Sequence, residues 1–124
     1  MRRSLGEFEQ LILLALVDVP ADDAYGVPLR ESIERRTSRR VTMGALYTAL
    51  DRLQARGFVS SRLGPATAER GGRPKRFYKL QPAGARALAD SIRVLRDMSH
   101  GLLDRLDPEL ATGTPTPTRP RRGT

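Results

Sequence analysis

Apolar residues recur along most of the chain at helical spacing, with one interruption where they alternate. The first cluster, Leu5, Phe8, Leu11, Ile12, Leu14, Ala15 and Leu16, predicts a helix over Ser4 to Val17. Ser4 followed by Glu7 fits a capping box, and the second half of the segment is apolar nearly all round. A helix of that kind needs cover on every side, which predicts packing against its own domain and a partner together. After a polar connection containing Pro20, Tyr25, Leu29 and Ile33 stand four apart and predict a second helix over Ala24 to Thr37, with Arg30, Glu31, Glu34 and Arg35 facing out. Thr42 is a good N-cap and Gly57 a good stop for a third helix, whose inward stripe is Met43, Leu46, Leu50 and Leu53. Its other face carries Gly44, Ala45, Tyr47, Thr48, Asp51 and Arg52.

The pattern then changes. Phe58 to Leu63 and Lys75 to Leu80 read as two strands of a hairpin whose tip, Gly64 to Pro74, is too long for a tight turn. Pro82 opens a last helix expected to run to about Leu106, with Leu88, Ile92, Leu95, Ser99, Leu102 and Leu106 at alternating intervals of four and three. Gly101 weakens that helix locally. From Thr112 onward only Thr, Pro, Gly and Arg occur, a composition expected to be disordered. The fold class is therefore mainly α with a small β-hairpin. The expected division is a winged helix-turn-helix domain over 1–80, a dimerisation helix over 81–107 and a disordered tail over 108–124.

Charge sharpens this picture. The net charge of +8 is concentrated between Arg30 and Lys79, where 13 basic residues face 4 acidic ones. Between Gln81 and Leu110 the balance is 4 basic to 5 acidic. A polyanion is therefore drawn to the middle of the chain and not to its last helix. A general arginine bias, 20 of 22 basic residues, explains the total better than the concentration. Cysteine is absent and His100 stands alone, so neither disulfides nor a metal cluster is expected, and no cofactor. Asp22-Asp23 and Glu7/Glu9 do not form the shared site that carboxylate chemistry needs, so no enzyme is expected. No apolar run is long enough to span a membrane. The basic-then-apolar start is broken by Glu7, Glu9 and Gln10, so a cytoplasmic protein is expected.

Three helices, a hairpin and a fourth helix in that order point to duplex DNA. A helix with small residues at its front end fits the major groove, and its N-terminus attracts phosphate. The expected DNA-contacting residues are Arg39, Arg40, Thr42, Gly44, Ala45, Tyr47, Thr48 and Arg52, with Arg73, Lys75 and Arg76 on the wing. The expected homodimer interface comprises Leu5, Phe8, Ile12, Leu88, Ile92, Leu95, Ser99, Leu102 and Leu106. An alternative is a winged-helix module used for protein contact or for non-specific nucleic-acid binding.

Tyr25-Gly26, the stretch Thr42 to Val59 with its Gly-x-Leu-Tyr-x-x-Leu-x-x-Leu core at Gly44 to Leu53, and Gly72 to Leu80 followed by Gly84 resemble the PadR family of transcription regulators. The resemblance covers roughly residues 5 to 106. It implies a dimeric winged-helix repressor, with Gly44, Tyr47 and Thr48 at the start of the recognition helix and Arg73, Lys75 and Arg76 on the wing. It makes Tyr78 a packing residue. Gln81 stands where the family commonly has a threonine cap, and Thr48 where it commonly has proline. The resemblance also implies a small-molecule effector as a partner, of unspecified identity. Some members sense aromatic molecules through a tryptophan on the last helix, and this chain has no Trp.

Overall fold

The elements among the described residues are α1 (Glu7–Asp18), α2 (Gly26–Thr37), α3 (Met43–Ala55), β1 (Val59–Leu63), β2 (Arg76–Leu80), α4 (Pro82–Ser99) and α5 (Leu103–Leu106), with one turn of 3-10 helix at Ala21–Asp23. They come from a computed structural model that describes residues 4–65 and 74–106. The chain divides after Ser91 into two compact units, so the first turns of α4 belong with the winged-helix core and not with the residues that follow.

Within the first unit α1, α2 and α3 pack on one another around Ile12, Leu13, Leu29, Leu46, Leu50 and Leu53, all without solvent exposure. Each such side chain contributes about 1.5–3 kcal/mol by leaving water. The Leu46, Leu50 and Leu53 stripe is the one the spacing predicted. Asp18, at the end of α1, ties that helix to α2: it accepts from Ser32 Oγ at 2.9 Å and pairs with Arg35 and Arg36 at 3.5 and 3.4 Å.

Several boundaries differ from expectation for local reasons. α1 begins at Glu7, because Glu9 Oε1 and not Glu7 accepts from the backbone N–H of the cap residue, Gly6, at 2.9 Å. α2 begins two residues late, at Gly26, but ends at Thr37 as expected, with the cap residue Ser38 in the left-handed region. Glu34, expected to face out, turns toward the following segment and accepts from the Val41 N–H at 2.7 Å. That bond holds the turn leading into α3.

β1 and β2 pair antiparallel with Ser61 opposite Tyr78. Alternation places Val59 and Tyr78 inward, where both are buried. The outer edge of β2 is met by the segment before α2, since Tyr78 N–H donates to the Ala24 carbonyl at 2.8 Å.

In the second unit the expected continuous helix is interrupted. α4 stops at Ser99, Gly101 adopts φ +76°, and α5 resumes for a single turn. A left-handed residue cannot sit inside an α-helix, and glycine takes that conformation without steric cost. Leu102 and Leu106 therefore do not prolong the stripe of Ile92, Leu95 and Ser99.

Candidate nucleic-acid interface

Thr42 does what its position predicts: its hydroxyl accepts from Ala45 N–H at 3.1 Å and caps α3. Gly44, Ala45, Thr48, Asp51 and Arg52 are exposed on the face opposite the leucine stripe. A side chain added at Gly44 would meet nothing within 4 Å, so the front of α3 is open to an approaching surface.

Tyr47 has two roles. It is 40% exposed, yet its hydroxyl end lies against the backbone of Gly26 at the start of α2. A Cβ at Gly26 would collide with that hydroxyl and stand 2.7 Å from the Met43 methyl, so only glycine allows this close approach. Tyr78, buried behind, has its hydroxyl pKa pushed up by burial first and by the nearby Tyr47, with Arg76 acting in the opposite sense.

The wing is fastened to α3 through side chains. Arg76 Nη1 donates to Ser61 Oγ at 3.0 Å, and Ser61 Oγ donates to Gln54 Oε1, also at 3.0 Å. Lys75 lies over the Tyr25 ring, its Nζ 4.4 Å from the centroid and 3.4 Å from the hydroxyl. The same ring meets Phe77 edge-on at 5.4 Å. Both wing cations remain exposed, but neither side chain is loose. Arg73 lies outside the described residues, as do the remaining tip residues 66–72.

Arg39, expected to contact DNA, is held by a carboxylate in the DNA-free protein. Its guanidinium forms two parallel hydrogen bonds to Glu7, at 3.1 and 3.0 Å, in the first turn of α1. Two of the guanidinium donors are thus already engaged. The Arg39 hydrogen bond, and then its charge, hold the Glu7 carboxyl below the usual carboxylate range. The pair is therefore intact at neutral pH, and whatever it contributes to folding is lost as pH falls through that depressed value. Arg40, its neighbour, is exposed. Replacing Glu7 with Gln is expected to raise DNA affinity by a factor of about two to five and to steepen its salt dependence. Anisotropy titrations of the two proteins check this, and equal affinity would mean that Arg39 never meets DNA.

The expected dimer residues also divide. Leu5, Ile12 and Leu88 are buried in the protomer's own core and offer no surface to a partner. An apolar position at helical spacing states that it needs cover without stating whose. Phe8 is half-buried against the same core. Ile92, Leu95, Leu102 and Leu106 are exposed, Leu95 at 62% and Leu106 at 75%, and Ser99 is partly so. The sequence reading missed Val94 and Met98 on α4 and Val17 on α1, three further exposed apolar side chains. It also missed Glu7, Tyr25, Gln54 and Ser61 as parts of the interface. Tyr25 and Gln54 sit in otherwise ordinary helical patterns, and no local signal marks their partners.

A helix-turn-helix whose second helix presents an open, polar front, with a cation-bearing hairpin bonded to it, defines a winged helix-turn-helix protein. Residues 13–90 match the family described as the transcriptional regulator PadR-like family. "Transcriptional regulator Rv3488" of Mycobacterium tuberculosis is 32% identical over 82 residues, covering 66% of this chain and 72% of that protein. Among solved structures, a PadR family transcription regulator from Clostridium difficile superposes with a TM-score of 0.64 at 22% identity, covering 82% of this chain and 99% of that one. A PadR-like regulator from Bacillus cereus gives 0.64 at 20% identity, covering 81% and 91%. The chain belongs to the PadR-like family, DNA-binding transcriptional regulators and not enzymes. Among the described residues no helix is long and apolar enough to cross a membrane.

Proposed function

We propose that the protein is a cytoplasmic repressor that binds a pseudo-palindromic operator as a homodimer. The observation that carries this reading is the open front of α3 joined to the wing by the Arg76–Ser61–Gln54 chain, which presents groove-reading and phosphate-holding groups as one unit. In this reading Gly44, Ala45, Tyr47 and Thr48 enter the major groove. Arg40, Arg52, Lys75 and Arg76 hold the backbone, and Thr42 sets the helix terminus beside it. Exposed Ile92, Leu95, Leu102 and Leu106 support a second copy as the partner, since a small protein rarely leaves such residues uncovered. Reading both halves of such an operator requires recognition helices about 34 Å apart, one duplex turn.

The test is a binding titration on the DNA upstream of this protein's own gene. Affinity should fall by about three or more orders of magnitude between about 50 and 200 mM salt if several phosphates are neutralised on each side. Replacing Lys75 and Arg76 with Ala should weaken all sequences alike, whereas changes at Tyr47 or Thr48 should alter preference. A salt-independent curve removes DNA binding from the reading. Random duplex bound as tightly as the promoter favours a non-specific or protein-contact module instead. A small-molecule effector is the remaining partner, tested by repeating the footprint with neighbouring metabolites added in turn.

A further inference from the structure

Tyr25 occupies the N-cap of α2, where Ser, Thr, Asp or Asn would ordinarily satisfy the first free N–H groups. Its side chain makes no capping bond there. It turns instead to the wing, 50 residues away, and receives Lys75 over its ring while Phe77 meets it in a T-shaped contact. The backbone on either side of Tyr25 is equally committed. The Ala24 carbonyl takes the Tyr78 N–H of β2, and Gly26 seats the hydroxyl end of Tyr47 from α3. Three consecutive residues therefore touch both elements of the DNA-facing surface.

We propose that Tyr25 is a positioning residue for DNA binding, which holds the Lys75 ammonium ready as a phosphate contact at a fixed place relative to α3. The proposal rests on the DNA-binding reading above. An ammonium has three donors, and the long bond to the Tyr25 hydroxyl uses at most one, leaving the others for phosphate oxygens. A flexible lysine loses rotamer freedom when it grips a ligand. A ring that already restrains it removes part of that loss before the DNA arrives. The attraction of a cation to a tyrosine face survives removal of the hydroxyl but not of the ring. Phenylalanine and leucine at position 25 should thus behave differently.

The experiment compares wild type, Tyr25→Phe, Tyr25→Leu, Lys75→Ala and the Tyr25→Leu/Lys75→Ala double variant on own-promoter duplex across a salt series. Tyr25→Leu and Lys75→Ala should each lower affinity about three- to ten-fold and shrink the salt slope by about one. The double variant should be no weaker than either alone, and Tyr25→Phe should retain most of the affinity. In the DNA-free protein the Lys75 Hε resonances should lie upfield in wild type and Tyr25→Phe, and return to ordinary values in Tyr25→Leu. That readout stands even where Tyr25→Leu lowers the melting temperature. Additive losses, an unchanged slope, or Lys75 resonances indifferent to the ring overturn the proposal while leaving DNA binding intact. A wild type that does not bind duplex DNA overturns the parent reading, and this one with it.

Discussion

Leu95→Asp is expected to convert the protein to a folded monomer and to lower operator affinity by about two to four orders of magnitude. Leu95 is 62% exposed, so a charge there costs the fold little, within about 0.5 kcal/mol. In a paired protein the same charge is forced into an apolar contact without a partner, which is strongly unfavourable. Once the pairing is lost, each half-site must be bound independently. Light scattering on the variant reads the assembly and footprinting reads the affinity. A dimer that survives the change moves the interface elsewhere, with exposed Leu14 and Val17 on α1 the first place to look.

The second large effect is expected at Gly26. Alanine there places a methyl group into the Tyr47 hydroxyl and against Met43, in a site that is buried. Either Tyr47 leaves its seat or α2 and α3 move apart. Overpacking of this kind costs about 1–3 kcal/mol. In a domain of this size each kcal/mol lowers the melting temperature by roughly 4–8 °C. DNA recognition should fall as well, because Tyr47 stands on the face proposed to enter the groove. The double variant Gly26→Ala/Tyr47→Ala should recover most of the stability without recovering sequence preference. Calorimetry distinguishes these outcomes, and a Gly26→Ala protein as stable as wild type would mean that Tyr47 packs elsewhere in solution.

Features governed by neighbours in sequence were legible in advance. Thr42 as a cap, the leucine stripe of α3, the stop near Gly57 and Pro82 at the head of α4 all follow from local rules, and the structure carries each of them. Gly101 was read as a weak point, but whether glycine merely loosens a helix or breaks it depends on the turns beyond it. Leu5, Ile12 and Leu88 were assigned to a partner because a stripe of apolar positions carries no information about who covers it. Charge counting does not pair residues across a fold, so the bond from Arg39 to Glu7, 32 residues away, leaves no trace in the sequence. The Tyr25–Lys75 contact spans 50 residues and was invisible for the same reason.

The left-handed glycine at 101 also bears on mechanics. A continuous helix carries one face straight through, whereas a left-handed angle redirects the chain, so the side chains beyond Gly101 no longer keep the register of those before it. In the proposed dimer, Leu102 and Leu106 can settle against the other subunit without fixing the angle at which the longer helices cross. The grip of one α4 on the other then falls to the exposed apolar residues before the break, Ile92, Leu95 and Met98 among them.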